Sequence, residues 1–247
     1  MFFRKRSHTS VPRTGPKGLR NPLFGAIYRY WYSLGFPESW FSFKGQRVSS
    51  MLRPIHVLET NLLLSIKAKQ DFMLLNEQLE VFENAVREVV ARYKVGGRLY
   101  IAGNGGSAAD AQHLAAELVS KLARDRAPLP AEALTVDSSV LTAIGNDYGY
   151  DQLFARQIVG KMTDRDIFLG ITTSGQSQNI LAALDTCRMM GIPSIVFTGN
   201  GGGNSRVKAD FCIVVPGDRT STIQEIHIVL AHTLCECIEN EILGLSE

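Results

Sequence analysis

The chain has 247 residues, of which 45% are hydrophobic and 20% charged, and its mean hydropathy is +0.01. These values are typical of a globular domain with room for an appendage, and they exclude disordered, collagen-like and coiled-coil proteins. No run of about 18 uncharged apolar residues occurs in the sequence, so we expect no membrane span. The four cysteines form no C-x-x-C motif, which favours a reducing compartment and predicts a cytoplasmic protein.

The charge is unevenly distributed along the chain. The formal net charge is +2, but residues 1–50 hold nine basic residues and one acidic residue, Glu38, whereas residues 51–247 hold 17 basic and 23 acidic residues. The composition therefore predicts a basic, aromatic extension over residues 1–50 and a domain over residues 51–247. The extension is expected to be poorly ordered, or to lie upstream of a true start at Met51. The alternative is a patch for an anionic surface such as lipid or nucleic acid, although we expect no nucleic-acid partner.

The hydrophobic pattern predicts an α/β domain. Apolar residues recur at helical spacing over residues 58–93, which indicates two helices or one long bent helix. Beyond Gly96-Gly97, short apolar runs alternate with helical segments, a pattern typical of a doubly wound fold in which helices cover both faces of a parallel sheet. The predicted strands are 99–102, 134–136, 167–171, 194–198 and 211–215, and the predicted helices between and after them are 108–122, 153–159, 179–190 and 223–243.

Three polar loops with glycines follow predicted strands, at the edge where open α/β sheets bind ligands. They are Gly103-Asn104-Gly105-Gly106-Ser107, Thr172-Thr173-Ser174-Gly175-Gln176-Ser177 and Gly199-Asn200-Gly201-Gly202-Gly203-Asn204. Close backbone N–H groups, hydroxyls and helix N-termini predict a phosphate site there. The first loop matches a dinucleotide pattern loosely, but no acidic residue follows about 20 positions later at a strand end. The four hydroxyls of the second loop suit one phosphomonoester, so a sugar phosphate is the predicted ligand.

Two pairs of side chains on two helices could bind a metal. His113 and Glu117 are four residues apart and therefore share a helix face. Gln224 and His232 are eight residues apart, about 80° in projection, and lie on one side of the last helix. The alternative for each histidine is an ordinary surface or hydrogen-bonded core residue.

Five motifs occur in a fixed order along the domain. They are Gly103-N-G-G-Ser107, D-A-Q-His113-x-x-x-Glu117, Gly145-Asn146-Asp147-Tyr148-Gly149, T-T-S-G-Q-Ser177, and Ile223-Gln224-Glu225-x-His227 with His232 five residues later. From about Met51 to the C-terminus, the chain resembles the phosphoheptose isomerase family of sugar-isomerase (SIS) domains. The resemblance implies a five-stranded parallel sheet flanked by helices and a homotetramer with active sites at subunit interfaces. It also implies conversion of sedoheptulose 7-phosphate to D-glycero-D-manno-heptose 7-phosphate, the first step of ADP-heptose biosynthesis.

The resemblance also implies which residues form the site. One zinc ion per subunit is held by His113, Glu117, Gln224 and His232, and Glu117 and His232 serve as the catalytic acid and base or as permanent ligands. The implied substrate contacts are Asn104, Gly105, Gly106, Ser107, Asn146, Asp147, Thr172, Thr173, Ser174, Ser177 and Gln224. Ser221-Thr222 departs from the family, which often has Asp or Ala and then Arg at these positions.

Two other functions are compatible with the motifs. One is a non-catalytic SIS protein, such as a replication-initiator-associating protein, a class that lacks the carboxylate and the final histidine present here as Glu117 and His232. The other is an isomerase of a different sugar phosphate, because loop composition indicates a phosphate but does not set the length of the sugar.

Overall fold

The computed structural model of the protein describes residues 53–244, so the predicted extension over residues 1–50 lies outside the described residues. Two helices open the described chain, α1 (Pro54–Phe72) and α2 (Asn76–Lys94). Their separation confirms the two-helix alternative for residues 58–93. The buried side chains of α2 are Ala85, Val86, Val89 and Val90, at the spacing of one helix face.

Five parallel strands form a single sheet in the order β2-β1-β3-β4-β5. The strands are β1 (Leu99–Gly103), β2 (Ala131–Ala133), β3 (Ile167–Thr172), β4 (Ser194–Thr198) and β5 (Phe211–Val214). All residues of the three central strands are buried, as expected where helices cover both faces. The predicted α/β sheet is therefore confirmed.

Helices follow the strands on both faces of the sheet. They are α3 (Gly106–Val119), α4 (Ser138–Asp147), α5 (Leu153–Lys161), α6 (Gln178–Met190) and α7 (Thr220–Ile242), with 3₁₀ segments at Tyr150–Gln152 and Asn200–Val207. Alternate residues of β3 enter two separate cores. Leu169 packs with residues of α1, α2, α3 and α7, whereas Phe168 packs with residues of α5 and α6. The two cores confirm the doubly wound arrangement.

Near β2, the predicted bounds of the strand and of helix α3 are wrong, and one helix was not predicted. The strand is Ala131–Ala133 and not 134–136, because Asp137 already caps α4 by accepting a hydrogen bond from the Val140 N–H at 3.0 Å. Helix α4 was missed because it is short and its apolar residues Leu141 and Ile144 pack on the core only partly buried. Helix α3 ends at Val119, three residues before the predicted end.

Candidate active site

The first glycine loop joins β1 to the start of α3. Gly105 has φ +57°, which side chains rarely adopt, and the loop can therefore turn tightly at this point. A Cβ at Gly106 would lie 2.4 Å from Nε2 of Gln224, so the absence of a side chain lets the start of α7 approach the start of α3. This contact places Gln224, a predicted ligand of both substrate and metal, beside the predicted phosphate loop.

Asn104 in this loop is held by two residues that the sequence analysis missed. Its amide and that of Asn179 exchange two hydrogen bonds of 2.9 Å, and the Tyr150 hydroxyl donates to Asn104 Oδ1 at 2.8 Å. Oδ1 therefore already accepts two hydrogen bonds, while one of the two N–H groups of Nδ2 is unused by these contacts. Asn104 is consequently prepared to donate one hydrogen bond to a ligand oxygen.

The second loop follows β3, the strand next to β1, so the two loops are neighbours at the carboxyl edge of the sheet. The hydroxyls of Thr172 and Ser177 share a hydrogen bond of 3.0 Å across the loop, and Ser174 Oγ accepts from the Gln176 N–H at 3.2 Å. Ser174 is exposed, whereas Thr172 is buried. The second loop thus presents hydroxyls and N–H groups beside the N-terminus of α6, an arrangement suited to an anion.

The third glycine loop packs against the second. The Gly199 N–H and Asn200 Nδ2 donate to the Thr173 carbonyl at 3.2 and 3.1 Å, and the Ser205 N–H donates to the Gly175 carbonyl at 3.1 Å. A Cβ at Gly175 would lie 2.1 Å from the Gly202 carbonyl oxygen. These contacts make the third loop a support for the second loop.

His113, Glu117 and His232 come together from α3 and α7. Nε2 of His113 lies 3.0 Å from Oε1 of Glu117 and 3.1 Å from Nε2 of His232, and Oε1 of Glu117 lies 3.4 Å from Nε2 of His232. The side chain of Glu117 is 12% exposed, those of His113 and His232 are 50% and 44% exposed, and Oε2 of Glu117 has no hydrogen-bond partner among residues 53–244. The cluster is therefore open to solvent through its two imidazoles.

The donor set of this cluster fits zinc. Two imidazole nitrogens and a carboxylate oxygen are ordinary zinc ligands, and ligands at 2.0–2.1 Å from a tetrahedral ion lie about 3.3 Å from one another. The three separations of 3.0 to 3.4 Å match that spacing. Gln224, the fourth predicted ligand, lies beside Gly106, seven residues before His113 on α3.

Asn146 and Asp147 lie at the exposed end of α4, where Asn146 Nδ2 donates to Asp147 Oδ1 at 2.7 Å. The 3₁₀ segment that follows carries Tyr150, the residue that reaches Asn104. Ser221 is exposed and Thr222 is buried in the first turn of α7.

Asp110 is a further polar residue that the sequence analysis missed. It lies one helical turn before His113 on α3, and its buried Oδ2 atom has no hydrogen-bond partner among residues 53–244. Burial raises the pKa of its carboxyl, although nearby His113 opposes that effect. The i, i+3, i+7 spacing of Asp110, His113 and Glu117 is the sequence signal for this residue.

Comparisons with known proteins identify the family of this chain. The SIS domain family model matches residues 67–199. A phosphoheptose isomerase of Akkermansia muciniphila is 48% identical over 66% of this chain and 86% of its own length, and phosphoheptose isomerase 2 of Campylobacter jejuni is 47% identical over 73% and 90%. The chain belongs to the phosphoheptose isomerase family of SIS-domain proteins.

Solved structures of the family have the same fold. A phosphoheptose isomerase from Neisseria gonorrhoeae superposes with a TM-score of 0.71 at 37% identity, over 76% of this chain and 100% of that one. A second from Francisella tularensis gives 0.72 at 35% identity, over 76% and 98%. Among residues 53–244, no helix has the length and apolar character needed to cross a bilayer.

Proposed function

We propose that this protein is a zinc-dependent isomerase that converts sedoheptulose 7-phosphate to D-glycero-D-manno-heptose 7-phosphate in the cytoplasm, as the first step of ADP-heptose biosynthesis. The observation that carries the proposal is the His113–Glu117–His232 cluster in a chain of the phosphoheptose isomerase family. A non-catalytic SIS protein has no need of a carboxylate between two imidazoles. The hydroxyl loops after β1 and β3 supply the binding site for the phosphate.

The chemistry moves two protons. A base removes a proton from C1 of the ketose while the C2 oxygen gains one, which gives an enediol. C2 is then protonated and the oxygen on C1 loses its proton, which gives the aldose. We assign Glu117 and His232 as the two groups, because the Glu117 carboxylate and the His232 imidazole lie side by side and such positioned groups each contribute about 10² to 10⁴ in rate.

His113, Glu117 and His232 would hold the zinc ion, with Gln224 as the fourth ligand, and Glu117 and His232 would transfer protons only while released from the ion. Bound zinc polarises a carbonyl and stabilises negative charge on its oxygen. Asn104, Gly105, Gly106 and Ser107 bind the substrate from the first loop, and Thr172, Thr173, Ser174 and Ser177 from the second. Asn146 and Asp147 are the remaining proposed substrate contacts.

We infer further that the complete site is shared between subunits of a homotetramer. The cluster is exposed through His113 and His232, and Gln224 lies beside the phosphate loop at Gly106. A neighbouring subunit can bring its own Gln224 and phosphate loops to the cluster. Exposed apolar residues on one face of α1 supply a surface for assembly, and they are Ile55, Leu58, Leu62 and Ile66.

The test is an assay of purified protein with sedoheptulose 7-phosphate in D₂O. We expect product formation with deuterium entering at C2 of the aldose, and at C1 of the ketose that re-forms from the enediol, and Glu117→Gln should lower kcat by about 10² or more while binding persists. Glu236→Gln changes an exposed carboxylate on the same helix as His232 and should leave kcat unchanged. Turnover only with five- or six-carbon ketose phosphates would assign a different substrate, and binding without exchange at C1 would support the non-catalytic alternative.

A further inference from the structure

A buried ion pair joins the end of α3 to α7. Arg126 Nη2 lies 2.9 Å from Oε1 of Glu239, and Arg126 Nε donates to the same oxygen at 3.0 Å. The two side chains are only 2% and 1% exposed. Removing two charges from water is costly, and a buried ion pair is often no more stabilising than apolar residues of similar size. Stability alone therefore does not explain this pair.

Arg126 also binds the last turn of α3. Its Nη2 donates to the Glu117 carbonyl at 3.0 Å, and its Nη1 donates to the Leu118 carbonyl at 2.8 Å. Carbonyls at the end of a helix have no partner within the helix and carry partial negative charge, so a guanidinium is a suitable cap. The side chain of Glu117 thus belongs to the His113–Glu117–His232 cluster, and its backbone carbonyl accepts a hydrogen bond from Arg126.

Glu239 fixes the chain that leaves α3. Its carboxylate accepts hydrogen bonds from the N–H groups of Leu122, Ala123 and Arg124 at 3.1, 3.3 and 3.4 Å. Burial raises the pKa of Glu239, but these N–H groups and the charge of Arg126 outweigh burial and leave the pKa lowered. Glu239 follows His232 by seven residues, or two turns, and therefore lies on the same side of α7.

We propose that Arg126 and Glu239 are positioning residues that set the separation of α3 and α7 at the His113–Glu117–His232 cluster. The inference rests on the proposed metal site. A zinc site assembled from two helices requires their spacing to be held closely, and groups that support ligands in this way typically change metal affinity by about 10- to 100-fold when altered. Arg126 is suited to this role because its planar fork binds Glu239 and two α3 carbonyls at once.

The test is Arg126→Lys in the full chain. The change keeps the positive charge but removes the planar guanidinium that binds Glu239 and the two α3 carbonyls at once. We expect zinc affinity, measured by competition with a chromophoric chelator, to fall by about 10- to 100-fold. The control is Asp166→Asn, a buried carboxylate at the opposite end of the sheet that accepts from the N–H groups of Arg98 and Thr163. It should lower the Tm of the metal-free protein and leave zinc affinity within about twofold.

A second measurement does not depend on metal. In metal-free Arg126→Lys, the ring ¹⁵N shifts of His113 and His232 should differ from those of the wild type, because the two imidazoles no longer lie at the same separation. If Arg126→Lys does not fold, the paired change Arg126→Met with Glu239→Leu restores an apolar contact and serves in its place. Unchanged ring shifts together with unchanged zinc affinity would overturn the positioning role. Wild-type protein that binds no zinc would instead remove the proposed metal site, leaving the ring shifts to decide the positioning role.

Discussion

The Nε2 atoms of His113 and His232 lie 3.1 Å apart although 119 residues separate them in the chain. Their rings meet at 64° with centroids 5.3 Å apart, so the edges that carry the nitrogens converge and the faces do not stack. His113 belongs to the helix after β1 and His232 to the helix after β5, and both helices cover the same face of the sheet. The packing of α3 on α7 therefore creates the cluster.

Removal of the metal should abolish turnover and leave the fold intact. The cluster residues are outside both apolar cores, so the cores do not depend on a bound ion. Purified protein should contain up to one zinc per subunit by elemental analysis. Dialysis against a chelator should eliminate activity with little change in far-UV circular dichroism, and added zinc should restore it. Full activity in metal-free protein would contradict the proposed role of zinc.

Two inactive variants should complement each other if the site is shared between subunits. Glu117→Gln damages the cluster and Gln224→Ala damages the region beside the phosphate loop. When the two variants are co-expressed and mix in one oligomer, we expect roughly a quarter of wild-type activity. That fraction of the shared sites takes an intact cluster from one subunit and an intact Gln224 from its neighbour. Each variant alone is the control. No recovery in mixed oligomers of confirmed composition would place the complete site within one subunit.

Gly203→Ala should weaken substrate binding through the support loop. A Cβ at Gly203 would lie 2.8 Å from the carbonyl oxygens of Ser174 and Gly175, so the second loop must move. We expect KM for the sugar phosphate to rise by about tenfold with a smaller change in kcat.

The control for Gly203→Ala is Gly201→Ala. Gly201 also has positive φ, but its backbone is left-handed helical (φ 72°, ψ 7°), whereas that of Gly203 (φ 48°, ψ −146°) is nearly restricted to glycine, and an added Cβ at Gly201 would meet nothing within 4 Å. Gly201→Ala should lower the free energy of unfolding by about 1 kcal/mol, because alanine disfavours this backbone conformation, and should leave KM unchanged. Equal KM values for the two variants would show that the third loop does not set the position of the second.

His227 should make the protein less stable as the pH falls. The ring is fully buried beside Phe197, and burial lowers its pKa from 6.5 to about 4, although a hydrogen bond to the Thr198 backbone opposes that effect. Below pH 6.5 the unfolded chain binds a proton at His227, whereas the folded chain does not bind it until about pH 4. The free energy of unfolding is therefore unaffected by His227 above pH 6.5 and falls by about 3 kcal/mol as the pH decreases from 6.5 to 4.

Urea unfolding between pH 4 and 8 tests this effect of His227. His227→Phe should flatten the pH dependence of the free energy of unfolding over the acidic range, because the replacement does not titrate. Wild-type protein measured in parallel is the reference. A wild-type slope in His227→Phe would mean that another group titrates there.

Residues 1–50 should be dispensable for catalysis. We propose that residues 51–247 form the complete isomerase domain, since every motif and every proposed site residue lies within them. A chain that begins at Met51 should retain kcat and KM within about threefold, which corresponds to less than 1 kcal/mol. A large loss of activity in this truncated protein would show that the domain boundary is wrong.

The sequence by itself determined the fold class and most of its elements. Strand β4 was predicted at its observed bounds and β1, β3 and β5 within one residue, because buried parallel strands are continuous apolar runs that a local pattern reveals. The pairing of His113 with Glu117 was also predictable, since four residues of helix fix that proximity. Strand β2 was misplaced, because its Ala131-Glu132-Ala133 run carries little apolar signal.

Only the tertiary structure decided which distant groups meet. No local pattern indicates that Tyr150 and Asn179 hold Asn104, or that Arg126 and Glu239 join α3 to α7. The position of Gln224 beside Gly106 also depends on how α7 packs along α3. Contacts between residues far apart in the chain follow from the packing of whole helices and sheets, and local periodicity describes each element alone.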